Sequence, residues 1–282
     1  MQRSDRKTTA FNVRNISEYL RVNSEKHPGK PAILYPGMGI RAMVSVLAES
    51  EPEAFIGVPK AHLLRLVYPQ VFKTVKIKFV TGPVSFPGAK RLEYPVKVNP
   101  GQYPIYPGDP KEMAAIFFTS GSTGPAKGVI YTSGMLNNQI EITKSQFNIG
   151  SVEIDLITFP LLGLFAICHG NSSVLADMDM LHPAKLNPGK IIKNIQDFSC
   201  TQMFGSPMVL TRLAEYGLQK RTKLPSLRTI ISAGAPVHRT ILESFGRLVS
   251  ESAEIHTPYG ATEALPVTDI TASELLRIYS AE

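Results

Sequence analysis

A chain of 282 residues with 43% hydrophobic and 19% charged content can bury one large core or two small ones, which excludes a disordered or fibrous class. Its formal charge of +7 would suit a polyanion, yet the basic residues form no block and neither zinc spacing nor a DNA-reading motif occurs, so nothing supports a nucleic-acid partner. The two cysteines, Cys168 and Cys200, lack C-x-x-C spacing, which excludes a disulfide scaffold and fits a reducing compartment.

The N-terminal stretch MQRSDRKTTAFNVRN has no apolar signal region. Residues 16–26 read as a helix, PAILY (31–35) as a strand and 39–50 as a helix. Lys76 and Lys78 in KTVKIK would share one strand face, as expected of a solvated surface. Residues 81–110 hold seven of the 22 prolines, which points to extended, edge-like structure. From about residue 112 the pattern is regular. AAIFF (114–118) and GVIYT (128–132) read as strands, and Ser133 can cap a helix through MLNNQIEITKSQF. IDLITF (154–159) and SSVLA (172–176) are further strands. The run LITFPLLGLFAIC (156–168) has 13 residues and a proline, too short to cross a bilayer, so no transmembrane segment is expected and the expected location is the cytoplasm. Asn187-Pro188 starts a helix, with Asn as cap and Pro in the first turn. TQMF (201–204) is a strand, Ser206-Pro207 opens a helix ending near Gly217 as a left-handed cap, and RTIIS (228–232) is a strand. A helix over 237–249 and the strand AEIHT (253–257) complete the series. Strands alternating with helices of this length predict an α/β fold with parallel βαβ units, whose ligands collect at the carboxyl ends of the strands.

The stretch FFTSGSTGPAKGVIYT (117–132) combines Gly121, Gly124 and Gly128 with the hydroxyls of Thr119, Ser120, Ser122 and Thr123 and the charge of Lys127. Glycines permit close backbone approach, and successive N–H groups can form a nest for phosphate oxygens. It is not a Walker A loop: counting from Gly121 places Ala126 and Gly128 where Gly and Ser/Thr are needed. G-x-G-x-x-G fails as well. Taken alone, the stretch is equally compatible with an ordinary hairpin turn. SAGAPV (232–237) follows a strand, and its small residues Gly234, Ala235 and Pro236 would let a planar ring lie on the backbone. YGATEALP (259–266) presents an aromatic ring, a hydroxyl and a carboxylate within five residues: Tyr259 can stack on a base, Thr262 can bond a phosphate and Glu263 can hold Mg2+ through oxygen. FPLLGLF (159–165) could line an apolar pocket or be plain core. No G-x-S-x-G elbow occurs, and the six histidines lack H-E-x-x-H spacing, so a serine hydrolase and a zinc enzyme are both disfavoured.

Residues 112–266 resemble the N-terminal domain of the adenylate-forming superfamily, which includes acyl-CoA synthetases, luciferases and peptide-synthetase adenylation domains. TSGSTGPAKG matches its phosphate-loop motif and YGATE its second nucleotide motif. Within it the chain is most similar to the fatty acyl-CoA ligase group, and PGMGIRAM, FPLLGLF and YGATEALPV resemble the β-lactone synthetases of bacterial long-chain olefin biosynthesis. The resemblance implies mainly parallel sheets flanked by helices, as in the large N-terminal domain of AMP-forming acyl ligases. It implies ATP and Mg2+ as cofactors, a fatty or β-hydroxy carboxylic acid as substrate, and coenzyme A as one acceptor to consider. The activity implied is ATP-dependent conversion of the acid to an acyl-adenylate. The loop Thr119, Ser120, Gly121, Ser122, Thr123, Gly124 and Lys127 would grip the β- and γ-phosphates. Tyr259, Gly260 and the turn Gly234–Ala235–Pro236 would hold the adenine side, Thr262 the α-phosphate and Glu263 the metal. Lys127, Thr262 and Glu263 would be the catalytic groups, and 159–165 would border the acyl site.

Family members continue beyond YGATE into a ribose-binding aspartate, a hinge and a small C-terminal domain, whereas Glu282 stands 19 positions after Glu263. They also carry a further βαβ stretch where Tyr35-Pro36 here runs into Gly37, and many have a histidine near Gly163. The expectation is therefore an incomplete fold: residues 1–111 a partial subdomain with an internal deletion near 36–37, residues 112–282 the AMP-binding core, and no C-terminal domain. The alternative function is a truncated, non-catalytic fragment with weak or no nucleotide binding.

Overall fold

The computed structural model describes Val44 and residues 53–82, 84–92, 108–119, 127–180 and 183–280. The elements expected over 16–26 and 31–35, and all but Val44 of that over 39–50, lie outside the described residues. The first described unit is a parallel three-stranded sheet, β1 (Ala54–Gly57), β2 (Ile77–Val80) and β3 (Lys90–Arg91). Helix α1 (Pro59–Val67) crosses between the first two strands, and Phe55, Leu64, Phe72 and Val75 form its small core.

β4 (Met113–Thr119) and β5 (Lys127–Thr132) pair antiparallel, with Thr119 opposite Lys127. They form a hairpin apart from the main sheet, so the parallel pattern expected from residue 112 starts only at residue 154. Helix α2 (Ser133–Gln146) follows directly. Its cap is Thr132, whose hydroxyl accepts from the Met135 amide at 3.2 Å, one residue earlier than expected because Ser133 is already helical and buried.

The main sheet has five parallel strands in the order β10-β9-β8-β6-β7: β6 (Ile154–Ile157), β7 (Ser172–Leu175), β8 (Gln202–Phe204), β9 (Thr229–Ile231) and β10 (Glu254–His256). The intervening helices are α3 (Pro160–His169), α4 (Pro188–Asp197), α5 (Pro207–Gln219) and α6 (Arg239–Gly246), and α7 (Ala272–Ser280) closes the described chain. Helix α4 starts as its sequence dictates, the Asn187 side chain accepting from the amides of Gly189 and Lys190. In register, Leu156, Met203, Ile230 and Ile255 form one apolar row across the sheet. That row packs with Ile191, Ile195, Leu210, Leu213 and Phe245 of α4, α5 and α6 in the principal core. The opposite face carries the polar row Asp155, Gln202, Thr229 and Glu254. On that side a second core joins Tyr131, Leu136, Ile140, Phe165 and Cys168, so α2 and α3 lie together there and Phe165 belongs to the core. Both cysteine thiols are buried, and burial pushes each up to about 12.

Gly217 is not the helix end. Helix α5 runs on to Gln219, and Gly217 lies inside it because a Cβ there would stand 2.4 Å from Leu248 Cδ2. Gly217→Ala therefore forces the buried Leu248 aside; we expect a loss of about 1–3 kcal/mol, read from the urea midpoint.

His169 is buried between α2 and α3. Its Nε2–H is shared by the Ile140 carbonyl and the Thr143 hydroxyl, each at 3.1 Å. Burial lowers its pKa from 6.5 to about 4, helped by the charge of Lys144, against the hydrogen bond to Ile140. The unfolded chain takes up this proton near pH 6.5 and the folded chain only near pH 4. The contribution is thus complete above pH 6.5 and declines as the pH falls through that window, by roughly 3 kcal/mol at 1.36 kcal/mol per unit. Denaturant midpoints measured between pH 7 and pH 4 should fall for the native chain, and fall less steeply for His169→Gln.

Candidate functional site

All five strands of the main sheet point the same way, so the turns leaving them share one edge. Backbone and hydroxyl bonds join these turns. The Thr158 hydroxyl donates to the Phe204 carbonyl at 2.7 Å, the Gly205 amide to Ile231 at 2.9 Å, and the Ser232 amide to His256 at 2.9 Å. Helix α3, after β6, packs on the face opposite to α5, after β8, so the two connections diverge between neighbouring strands. Such a divergence opens a crevice at the carboxyl edge. Phe159 stands there as the residue before α3, 49% exposed.

The turn after β9 contains Gly234 at φ +93, where a Cβ would meet nothing within 4 Å. Glycine is required there by conformation, not by crowding. Gly234, Ala235 and Pro236 are all exposed, and beneath them the Ser232 hydroxyl is buried without a partner. The turn is thus a small, open backbone surface next to the end of β10.

From that end the chain enters a second hairpin, β11 (Tyr259–Ala261) paired antiparallel with β12 (Ala264–Thr268). Thr262 and Glu263 are the two residues of its tip. Gly260 is needed by close approach, since a Cβ would lie 2.8 Å from the Ala264 carbonyl. Tyr259 is 69% exposed and Glu263 is exposed.

The hairpin is fastened at both ends. At its base the amide and hydroxyl of Thr257 both donate to the Ile270 carbonyl, at 2.9 and 2.8 Å. His256 Nδ1–H donates to the buried Asp269 carboxylate at 2.6 Å, and Phe147, just past α2, meets the His256 ring edge-on. At its tip the Tyr131 hydroxyl donates to the Thr262 carbonyl, and Gln139 Nε2 donates to the Tyr131 oxygen at 3.0 Å.

The structure therefore places the expected residues unequally. Tyr259, Gly260, Thr262 and Glu263 share one hairpin, and Gly234–Pro236 share the turn beside it. Thr119 and Lys127 face each other as the last and first residues of β4 and β5. Ser120, Gly121, Ser122, Thr123 and Gly124 lie outside the described residues. The hairpins meet through Tyr131, four residues beyond Lys127 and about 13 Å along an extended strand. Tyr131, Gln139, His256 and Asp269 did not stand out in the sequence. A tyrosine in an apolar strand such as GVIYT needs a partner for its hydroxyl once buried, which is the signal that could have marked it. Among the described residues no group of three His, Cys, Asp or Glu could hold a metal, and no helix is long and apolar enough to cross a membrane.

Asp269→Ala leaves the His256 N–H buried without its acceptor. A loss of about 1–3 kcal/mol is expected, and a melting scan unchanged by the substitution would contradict the assignment of the base bond.

Comparison with known proteins gives the family. A family model described as AMP-binding enzyme matches residues 29–280. An olefin beta-lactone synthetase from Stenotrophomonas maltophilia is 38% identical over 251 residues, 89% of this chain and 45% of that protein. Another from Xanthomonas campestris pv. campestris is 38% identical over 247 residues, 87% of this chain and 43% of that protein. The chain spans somewhat less than half the length of these curated relatives. Among solved structures, an anthranilate CoA ligase in complex with anthranoyl-AMP superposes with a TM-score of 0.69 at 14% identity, over 82% of this chain and 45% of that one, a likeness of fold.

Proposed function

Because this chain belongs to the AMP-binding enzyme family, we propose that it carries the nucleotide half of a site that converts a fatty or β-hydroxy carboxylic acid to its acyl-adenylate. In this reaction a carboxylate oxygen attacks the α-phosphorus of ATP. The new O–P bond forms as the bond to the β-phosphate oxygen breaks, and pyrophosphate leaves. ATP thereby supplies a good leaving group in place of a poor one.

The observation that carries this reading is the tip of the β11–β12 hairpin, bonded through Tyr131 to the strand that starts at Lys127. It joins the two stretches that bear hydroxyls, a carboxylate and a cation. The residues suit a nucleotide. Gly234–Pro236 offers bare backbone with open space above Gly234, and Tyr259 extends a free ring nearby. Glu263 supplies a carboxylate oxygen, the donor that Mg2+ prefers, and would hold the metal against the phosphates. Thr262 would donate to the α-phosphate. Thr119, Lys127 and the intervening residues 120–124 would bind the β- and γ-phosphates. Phe159 at the crevice would border the acyl chain. The names of the two synthetase relatives favour a β-hydroxy acid whose own hydroxyl is the later acceptor, and coenzyme A is the other acceptor to assay. Residues 112–282 would form the nucleotide core and 1–111 the partial subdomain before it.

Calorimetry on residues 1–282 should detect MgATP binding. Lys127→Ala and Glu263→Ala should each weaken it by roughly 10- to 100-fold, the effect of losing a hydrogen bond to a charged group. Binding indifferent to both changes would remove the half-site. In the protein that contains this chain, ATP–pyrophosphate exchange should depend on medium or long fatty and β-hydroxy acids; exchange with amino acids alone would refute the fatty-acid reading.

A further inference from the structure

The segment from Tyr131 of β5 through helix α2 to Phe147 meets the β11–β12 hairpin at both ends. Tyr131, just before the helix, and Gln139, at its middle, reach the tip. At its end Gln146 Nε2 donates to Asp269 at 3.4 Å, and Phe147 packs edge-on against His256 at the base. Tyr131 is 2% exposed and packs edge-to-face on Phe117 of β4, with ring centroids 4.8 Å apart. Its hydroxyl spends its one proton on a main-chain carbonyl 131 positions away, and its oxygen is saturated from the other side by Gln139. A buried tyrosine in a two-stranded hairpin could satisfy its hydroxyl locally or with water. Here it is committed to the peptide between Thr262 and Glu263.

That peptide is a specific choice. Fixing the Thr262 carbonyl fixes the peptide plane, and with it the Cα positions from which the Thr262 and Glu263 side chains leave the backbone. The same tyrosine lies on the strand whose first residue is Lys127. One hydroxyl therefore ties the peptide between Thr262 and Glu263 to the strand whose first residue is Lys127.

We propose that Tyr131, oriented by Gln139, is a positioning residue that couples the metal-bearing tip at Thr262–Glu263 to the phosphate-binding hairpin. It touches neither nucleotide nor metal and acts through the Thr262 carbonyl. This inference rests on the nucleotide reading of the tip. Its consequence is a linkage. Mg2+ strengthens ATP binding only while the Glu263 carboxylate is held at a fixed distance from the phosphates, and that distance depends on the tether.

The test compares native residues 1–282 with Tyr131→Phe, which keeps the ring packing and removes the hydroxyl. Gln139→Met, which leaves the Thr262 bond but releases the tyrosine proton from its orientation, is the second variant should the first fold poorly. Hydrogen exchange is followed for amides 261–265, and ATP affinity is measured with and without Mg2+. In Tyr131→Phe, exchange at the tip should rise several-fold while strands β8 and β9 stay protected. The Mg2+-dependent gain in ATP affinity should shrink about tenfold while the Mg2+-free affinity, to which Thr262 also contributes, falls by less, and Gln139→Met should shift exchange and affinity in the same direction by less. Unchanged exchange at the tip would overturn the tether. Equal loss of affinity with and without Mg2+ would reduce Tyr131 to a packing residue and overturn the coupling. A native chain that binds no ATP would overturn the nucleotide reading and the coupling with it; the exchange difference would still be present, so that failure is distinct from failure of the tether.

Discussion

Parallel pairing governs this molecule. A parallel neighbour can be reached only by crossing back over the sheet, so each strand from β6 to β9 is followed by a helix, and every departing turn lands on one edge. The order β10-β9-β8-β6-β7 then decides which turns are neighbours. The Gly234 turn lies between the end of β8 and the end of β10, which leads into the Tyr259 hairpin. Residues far apart in the chain meet because their strands do. The bonds from Gly205 to Ile231 and from Ser232 to His256 continue the ladder past the last paired residues and hold those turns in step.

The two faces of the sheet divide the labour between amount and direction. One face buries the Leu156–Met203–Ile230–Ile255 row under three helices, and the bulk of the apolar area is there. The other face is polar where a parallel sheet usually reads as an apolar run. Asn171 donates to Asp155 at 3.0 Å, and Phe147 meets His256. Apolar contact is tolerant of sliding, whereas hydrogen bonds and ring edges are not. The layer built from α2 and α3 is therefore attached at defined points, which suits a layer that has to hold a hairpin in one position.

Much of this was legible in the sequence, for local reasons. Asn187-Pro188 states a helix start because cap and ring act within three residues, and the structure has it there. The strand–helix alternation from Ile154 onward follows from apolar runs of strand length bounded by turn residues. The errors fell where a local signal had two meanings. Gly217 looks like a helix cap, but glycine also serves close packing, and only Leu248 distinguishes the two. AAIFF and GVIYT read as strands correctly, yet nothing local says that they pair with each other antiparallel instead of joining the parallel sheet. For the candidate site, the hydroxyls, the carboxylate and the glycines were visible as motifs. The partners that hold them were not, since the bonds of Tyr131 to Thr262 and of His256 to Asp269 depend on tertiary approach.

The placement of the chemistry follows from these same constraints. Both stretches that the sequence marks as candidates for phosphate adjoin antiparallel hairpins, while the turns of the parallel sheet offer mainly backbone, as at Gly234. A βα turn is fixed on both sides by elements committed to the core, so it suits a flat surface such as a base. A hairpin tip projects beyond its ladder and can bring a charged side chain to a ligand from outside the sheet. Its weakness is that two short strands alone hold it poorly. The β11–β12 hairpin compensates with the buried His256–Asp269 bond at its root and the Tyr131 hydroxyl at its end. Its freedom is removed at the two places where movement would displace Thr262 and Glu263, while Tyr259 between them stays exposed.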